Sequence, residues 1–231
     1  MSRGTNEVVV CIPVRGGSRR IPRKNLLKLG DETLIARKVW QLLPIGKVVV
    51  ASDDDEMLQE AESHGAIAVR RQCTNEGADS ANDMIGEFME LIEPLHPVTV
   101  MWAHCTNPFL STNTYANGLK TFRGALKDGY DSVVSVREVH AHLWSADRRT
   151  PLYNVTWCRN IRHLCANELP PYYEQDGGFF IQTYSQMRSN HYFFGEKPFL
   201  YKVPESEFCD INTPEDWEYA KVLYRKEKGK Q

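Results

Sequence analysis

Residues 8–25 read VVVCIPVRGGSRRIPRKN, and the fold class turns on that stretch. Its first six residues, Val8 to Pro13, are a continuous apolar run rich in β-branched side chains. Such a run reads as a strand buried on both faces. A loop follows. From Ile12 to Asn25 the chain packs four arginines, one lysine, two glycines and two prolines into fourteen residues. The whole chain of 231 residues has a net charge of −2, so this concentration of cations is local.

A strand that runs into a glycine-rich loop brings backbone N–H groups close to a phosphate. Gly16 and Gly17 permit the close approach. Ser18 adds a hydroxyl, and Arg15, Arg19, Arg20, Arg23 and Lys24 add charge. A charge-assisted hydrogen bond is worth about 1.5–3 kcal/mol, so two or three would hold a triphosphate. Five cations cannot all reach one ligand, and one or two are expected to face solvent. The pattern is neither a Walker A motif nor GxGxxG. Composition alone leaves two readings open, a phosphate loop and a basic surface turn.

Downstream the periodicity alternates. Helices are predicted over Thr33–Leu42, Asp53–His64, Asn82–Leu95 and Ser111–Leu126. Strands are predicted over Lys47–Ser52, Ala66–Val69, Val98–Ala103 and Asp131–Val136. That order implies a mainly parallel sheet with helices on both faces. Ligands then bind at the C-terminal ends of the strands, where Arg15, Asp53, His104 and Arg137 leave them. From Glu138 to Glu174 the rhythm breaks, as in an insertion for dimer contact or substrate cover. Strands at Gly178–Thr183 and Phe199–Pro204 and a helix at Thr213–Tyr224 follow, with a frayed tail.

Bulk properties narrow the class. Hydrophobic residues make up 42% and charged residues 25%, as in an ordinary globular domain. No apolar run suits a membrane span, and the opening MSRGTNE lacks the apolar stretch of a signal peptide. Near-neutral charge gives no reason to expect nucleic acid or membrane as a partner. The six cysteines are scattered with no CxxC pair, which argues against a zinc or disulfide framework and for a reducing cytoplasm.

Six stretches, in order, resemble the motifs of the acylneuraminate cytidylyltransferases, the CMP-sialic acid synthetase family. IPVRGGSRRIPRKN resembles their IPARGGSKGIPxKN. VVVASDDDEM, MWAHCTNPFL, YDSVVSV, ELPPYYEQDGGFFI and DINTPEDWEYA resemble the later ones. The resemblance spans about residues 8 to 222. It implies a Rossmann-like nucleotidyltransferase fold with an inserted dimerisation arm. The chain would be one domain over 1–231, with the insertion at about 138–175. It also implies transfer of CMP from CTP to an acidic small-molecule acceptor, a sialic-acid-like nonulosonate. Pyrophosphate would be released, Mg²⁺ would be the cofactor, and the enzyme would be a cytoplasmic homodimer.

Residue by residue, the resemblance places Arg15, Gly16, Gly17, Ser18, Lys24 and Asn25 on the nucleotide. Arg71 matches a family arginine near the base and ribose, with Arg70 as its alternative, and Ser80 would meet the ribose. Arg15, Lys24 and Asp210 would be catalytic. Asp210 matches the first acid of the family's metal-binding DID, and Asn212 replaces the second. Carboxylates suit Mg²⁺, a hard cation that keeps several waters. Thr213, Pro214 and Asp216 also read as a helix start, and Asp53, Asp54 and Asp55 as another.

The acceptor half departs from the family pattern. His104 and Thr106 stand in the segment matching Gln-Pro-Thr-Ser-Pro, with His104 at a substrate-facing glutamine. Asp176 replaces an asparagine. The family's carboxylate-binding arginine is missing from its place, and Arg162, with Arg159 and His163 nearby, would substitute. His104, His140, His142 and His163 suit a compact anion. These departures admit a small phosphonate as the alternative acceptor. The lost acid at Asn212 admits a catalytically inactive nucleotide-binding protein. The Kdo-activating relatives carry an acid in the segment matching HCTNP, and this sequence has none there.

Overall fold

Val8–Pro13 is strand β1, and it is buried as its composition requires. The computed structural model describes residues 8–72, 80–146, 150–151 and 165–229. Within them one sheet contains β1, β2 (Lys47–Ser52), β3 (Ile67–Arg70), β4 (Thr99–Ala103), β5 (Ser132–Val139), β6 (Tyr172–Thr183) and β7 (Pro198–Lys202). Their order across the sheet is β7-β5-β6-β4-β1-β2-β3. β1 is parallel to β2 and β4, β2 to β3, and β7 to β5. Only β6 among these runs antiparallel to its neighbours, β4 and β5.

Helices cover both faces: α1 (Leu34–Leu42), α2 (Asp55–Ser63), α3 (Ala81–Ile92), α4 (Thr112–Ala125), α5 (Tyr184–Asn190) and α6 (Pro214–Lys228). Alternation along β1 divides the core. Val8, Val10 and Ile12 join the cluster with α1, α2, α4 and α6, whereas Val9 and Cys11 join the one with α3 and α5. Each fully buried valine or isoleucine contributes about 1.5–3 kcal/mol. β1 is thus the strand least able to leave the centre. Helix starts follow the capping rules. Thr33, Asp54, Ser80, Ser111 and Thr213 each accept from a backbone N–H of the first turn.

Three elements differ from expectation. α5 is absent from the sequence reading because only Met187 of its seven residues is buried, which leaves no apolar stripe to detect. α6 continues to Lys228 rather than fraying after Tyr224; Arg225, Lys226 and Lys228 sit in its last turn, where cations complement the helix dipole. β6 begins at Tyr172, not Gly178. Tyr172 pairs with Val139 and Gln175 with Val136, but Phe180 pairs with Val134. Residues 176–179 therefore bulge opposite Ser135, with Gly177 at a φ of +69°. The expected insertion joins the sheet at both ends, through Val139 and Tyr172. Its residues 152–164 lie outside the described residues.

Candidate active site

A cleft of about 640 Å³ opens beyond the C-terminal ends of β1 and β4. The loop after β1 lines it with Arg15, Ser18, Arg19, Arg20, Lys24 and Asn25. Arg71 and Met84 contribute from beyond β3, His104, Cys105 and Thr106 from beyond β4, and Asn212 from before α6. Stretches up to about 200 residues apart thus meet in one place, as the C-terminal edge of such a sheet requires.

Close contacts hold the cationic loop. The Gly16 N–H donates to Asp53 Oδ1 at 3.1 Å. A Cβ at position 16 would lie 2.8 Å from Asp54 Oδ2, so a side chain there would push the Asp54 carboxylate from its place. Arg71 is buried, and its Nη2 donates to the Val14 carbonyl at 2.9 Å. Arg23 is the cation turned away. It adopts the left-handed φ of 50° and binds Asp54 and Glu56 of α2. Lys24 instead points inward, and its Nζ donates to the Ile211 carbonyl at 2.5 Å. Burial lowers its pKa and the carboxylate of Asp210 opposes that, while Arg20 and Arg15 lower it further.

The acidic side is carried by the segment between β7 and α6. Glu207 anchors it by accepting from Ser111 N–H at 2.8 Å and from the Thr114 hydroxyl at 2.7 Å. The Ile211 N–H donates to the Thr106 carbonyl at 2.9 Å. Asp210 accepts from the amides of Asn107, at 3.4 Å, and Asn212. Asn212 Oδ1 accepts from Arg20 Nη2 at 3.2 Å, so its own ligating oxygen is turned to a cation. No group of three His, Cys, Asp or Glu side chains fit to hold a metal occurs among the described residues. Asp210 is the carboxylate on this side, and oxygen is the donor type a hard cation takes.

The acceptor side is built from β4, β5 and β6. His104 lines the cleft, yet both ring nitrogens are engaged. Nε2 accepts from Trp102 Nε1 at 3.1 Å, and the Nδ1–H donates to the Gly177 carbonyl at 2.8 Å. Burial lowers its pKa, so the ring is neutral at pH 7. Asp176 lies behind the wall with the Ser135 hydroxyl and the Gly178 N–H on its Oδ1. Burial raises its pKa. The structure thus brings Arg15, Ser18, Lys24, Asn25, Arg71, His104, Thr106 and Asn212 to one surface. Asp210 lies beside Asn212. Ser80 caps α3 through Asp83. Arg70 binds Asp55 and the Asp53 carbonyl. Arg162 lies outside the described residues.

The family model described as cytidylyltransferase matches residues 9–228. The chain belongs to the cytidylyltransferases. This cytidylyltransferase is 26% identical over 223 residues to the pseudaminic acid cytidylyltransferase of Campylobacter jejuni, covering 93% of this chain and 94% of that one. It is 27% identical over 229 residues to the CMP-N,N'-diacetyllegionaminic acid synthase of Legionella pneumophila, covering 94% and 95%. Among solved structures, a CMP:2-keto-3-deoxy-manno-octonic acid synthetase complexed with CTP superposes with a TM-score of 0.65 at 18% identity, covering 96% and 99%. That last likeness shows the Rossmann-like fold. No helix among the described residues is long and apolar enough to cross a membrane.

The cytidylyltransferase also contains polar residues that sequence reasoning did not assign. Lys38 is wholly buried, Asn107 touches Asp210, and Glu207 anchors the acidic segment. Lys38 has a sequence signal: it falls on the apolar face of a predicted helix. Asn107 and Glu207 have none, because their partners are 103 and 96 residues away.

Proposed function

We propose that this cytidylyltransferase transfers CMP from CTP to the anomeric hydroxyl of a sialic-acid-like nonulosonate, releasing pyrophosphate. One observation carries the reading. Arg15, Arg20 and Lys24 converge on a single cleft, with Asn212 on the same lining and Asp210 beside it. The cations match a triphosphate, and the carboxylate would suit a hard cation such as Mg²⁺. The names of the curated relatives support a nonulosonate as the acceptor.

The chemistry follows from charge. The hydroxyl oxygen bonds to the α-phosphorus, the bond to the pyrophosphate oxygen breaks, and the hydroxyl loses its proton. Negative charge grows on the leaving pyrophosphate. Fixed cations stabilise it better than mobile water, because they need no reorganisation during the step. Arg15 and Lys24 take that role, while Gly16, Gly17, Ser18 and Asn25 shape the phosphate site. Gly16 acts through the close approach it allows, since its N–H is committed to Asp53. Arg71 supports the loop from beneath and faces the nucleotide, whereas Ser80 is spent on the α3 cap. Mg²⁺ would be held by Asp210 and would neutralise phosphate charge, and Asn212 would join it on releasing Arg20. On the other side His104, Thr106 and the 176–178 bulge receive the acceptor, and Arg162 would meet its carboxylate.

A homodimer formed through the 138–175 stretch is part of this reading. Trp144 and Tyr173, 64% and 47% exposed, offer it apolar surface. Sedimentation of the protein with and without W144E tests it, and a monomeric wild type discards it. A cytoplasmic location agrees with the need for CTP.

Pyrophosphate release tests the reaction. CTP or GTP is supplied with Mg²⁺ and pseudaminic acid, N,N'-diacetyllegionaminic acid, an N-acylneuraminic acid or a small phosphonate. Turnover with CTP and a nonulosonate is expected. Turnover confined to phosphonates moves the acceptor, and CTP binding without turnover on any acceptor discards the transfer.

A further inference from the structure

Lys38 occupies a place where an apolar side chain is expected. α1 buries Leu34, Ile35, Val39 and Leu42, and Lys38 lies on the same face with 0% of its surface exposed. A buried ammonium is costly unless it is paired and hydrogen-bonded, so its partners indicate its use. Its Nζ donates to the main-chain oxygen of Asn107 at 2.7 Å and to the Tyr115 hydroxyl.

Both partners lead to the acceptor side of the cleft. Asn107 belongs to the loop that carries His104 and Thr106, and its side chain reaches Asp210. The Tyr115 ring packs on Phe179, the last residue of the bulge, with centroids 5.6 Å apart. Inside the bulge Asp176 is a second buried ionisable group, 3% exposed. Its Oδ2 has no hydrogen-bond partner among the described residues. Burial pulls the Lys38 pKa down to about 7. A buried base and a buried acid therefore lie on the two sides of the Tyr115–Phe179 contact.

We propose that Lys38 is a positioning residue for nucleotidyl transfer, fixing from inside the fold the loop 104–108 through Asn107 and the bulge 176–179 through Tyr115 and Phe179. The inference rests on the transfer reaction proposed above. Lys38 touches neither substrate and acts through Asn107 and Tyr115. The attacking hydroxyl needs in-line placement at about 3–3.5 Å, so a small slackening of either loop suppresses the reaction. The nucleotide side hangs on Arg71, Asp53 and Asp54 instead, and is left in place.

Three variants of the full chain test this: K38M, Y115F and the double variant. Pyrophosphate release is followed with CTP and pseudaminic acid, N,N'-diacetyllegionaminic acid or an N-acylneuraminic acid, varying each substrate in turn. K38M is expected to lower kcat/KM for the acceptor about a hundredfold, with the KM for CTP within about threefold of wild type. The double variant is expected to lose less than the two single losses multiplied, because both substitutions break the same Lys38–Tyr115 hydrogen bond. An acceptor kcat/KM within about threefold of wild type, or equal damage to both substrates, overturns the positioning role. Losses that multiply without coupling overturn the route through Tyr115.

Thermal unfolding of the same variants reads the pairing without turnover. Coupled midpoints in a protein that transfers nothing keep the Lys38–Tyr115 contact and discard both the reaction and Lys38's part in it. Uncoupled midpoints in an active protein discard the route through Tyr115 alone.

Discussion

On one side of the cleft, Arg15, Arg20 and Lys24 stand in a loop held by its backbone and by Arg71 beneath. On the other side, polar groups turn inwards: the His104 ring bonds Trp102 and Gly177, and Asp176 Oδ1 bonds Ser135. The first side presents charge to a ligand. The second presents a shape whose charges are committed inside the protein. The contrast separates two kinds of recognition. Phosphate affinity needs cations kept at the surface, where they meet anions in water. Discrimination among acceptors needs a wall that does not yield, and buried hydrogen bonds provide one because breaking them leaves unpaired groups.

The contrast breaks first at Lys24. K24A is expected to lower kcat/KM for CTP about 10²–10³-fold, the scale of removing a preorganised charge from a transition state. Pyrophosphate release near the wild-type rate would remove Lys24 from the phosphate site. Next, D210N is expected to raise the Mg²⁺ concentration for half-maximal rate about tenfold or more, read from a Mg²⁺ titration. An unchanged titration would place the metal on other groups.

On the acceptor side, pH sharpens the difference. Burial lowers the pKa of His104 from its ordinary 6.5. Below that value the unfolded chain binds a proton that the folded ring resists. Stability is therefore lost as pH falls from 6.5 towards the folded pKa, and is fully present above 6.5. Unfolding midpoints measured from about pH 7 down to about pH 5 should decline, and H104Q should remove part of the decline. An identical slope in H104Q would contradict a neutral, buried ring. The smallest effect is expected at Arg23, whose ion pairs are solvent-exposed. R23A should cost about 0.2–1 kcal/mol in denaturant unfolding and leave the KM for CTP unchanged. A large rise in that KM would return Arg23 to the nucleotide side.

Much of this was legible locally. The apolar run at Val8–Pro13 marks a central strand, and Thr213, Pro214 and Asp216 mark a helix start that the structure reproduces as a capping box. The bulge was not legible. Asp176, Gly177 and Gly178 look like a break between elements, because a bulge and a strand end use the same residue types. Asp176 itself reads as a substrate contact, yet the structure turns it inwards to Ser135.

The sequence by itself determined the alternation of strands and helices, the loop that carries the cations, and the capped starts of two helices, at Asp54 and Thr213. Each of these depends on residues a few positions apart, where periodicity and side-chain chemistry act directly. Only the tertiary structure decided that Arg23 turns to α2 while Lys24 turns to Ile211, 187 residues along the chain. Only the tertiary structure set β6 antiparallel and brought Lys38 beneath Asn107. Those outcomes depend on register and packing between distant segments. A charged side chain reads the same in the sequence whether it faces water, a ligand or the core.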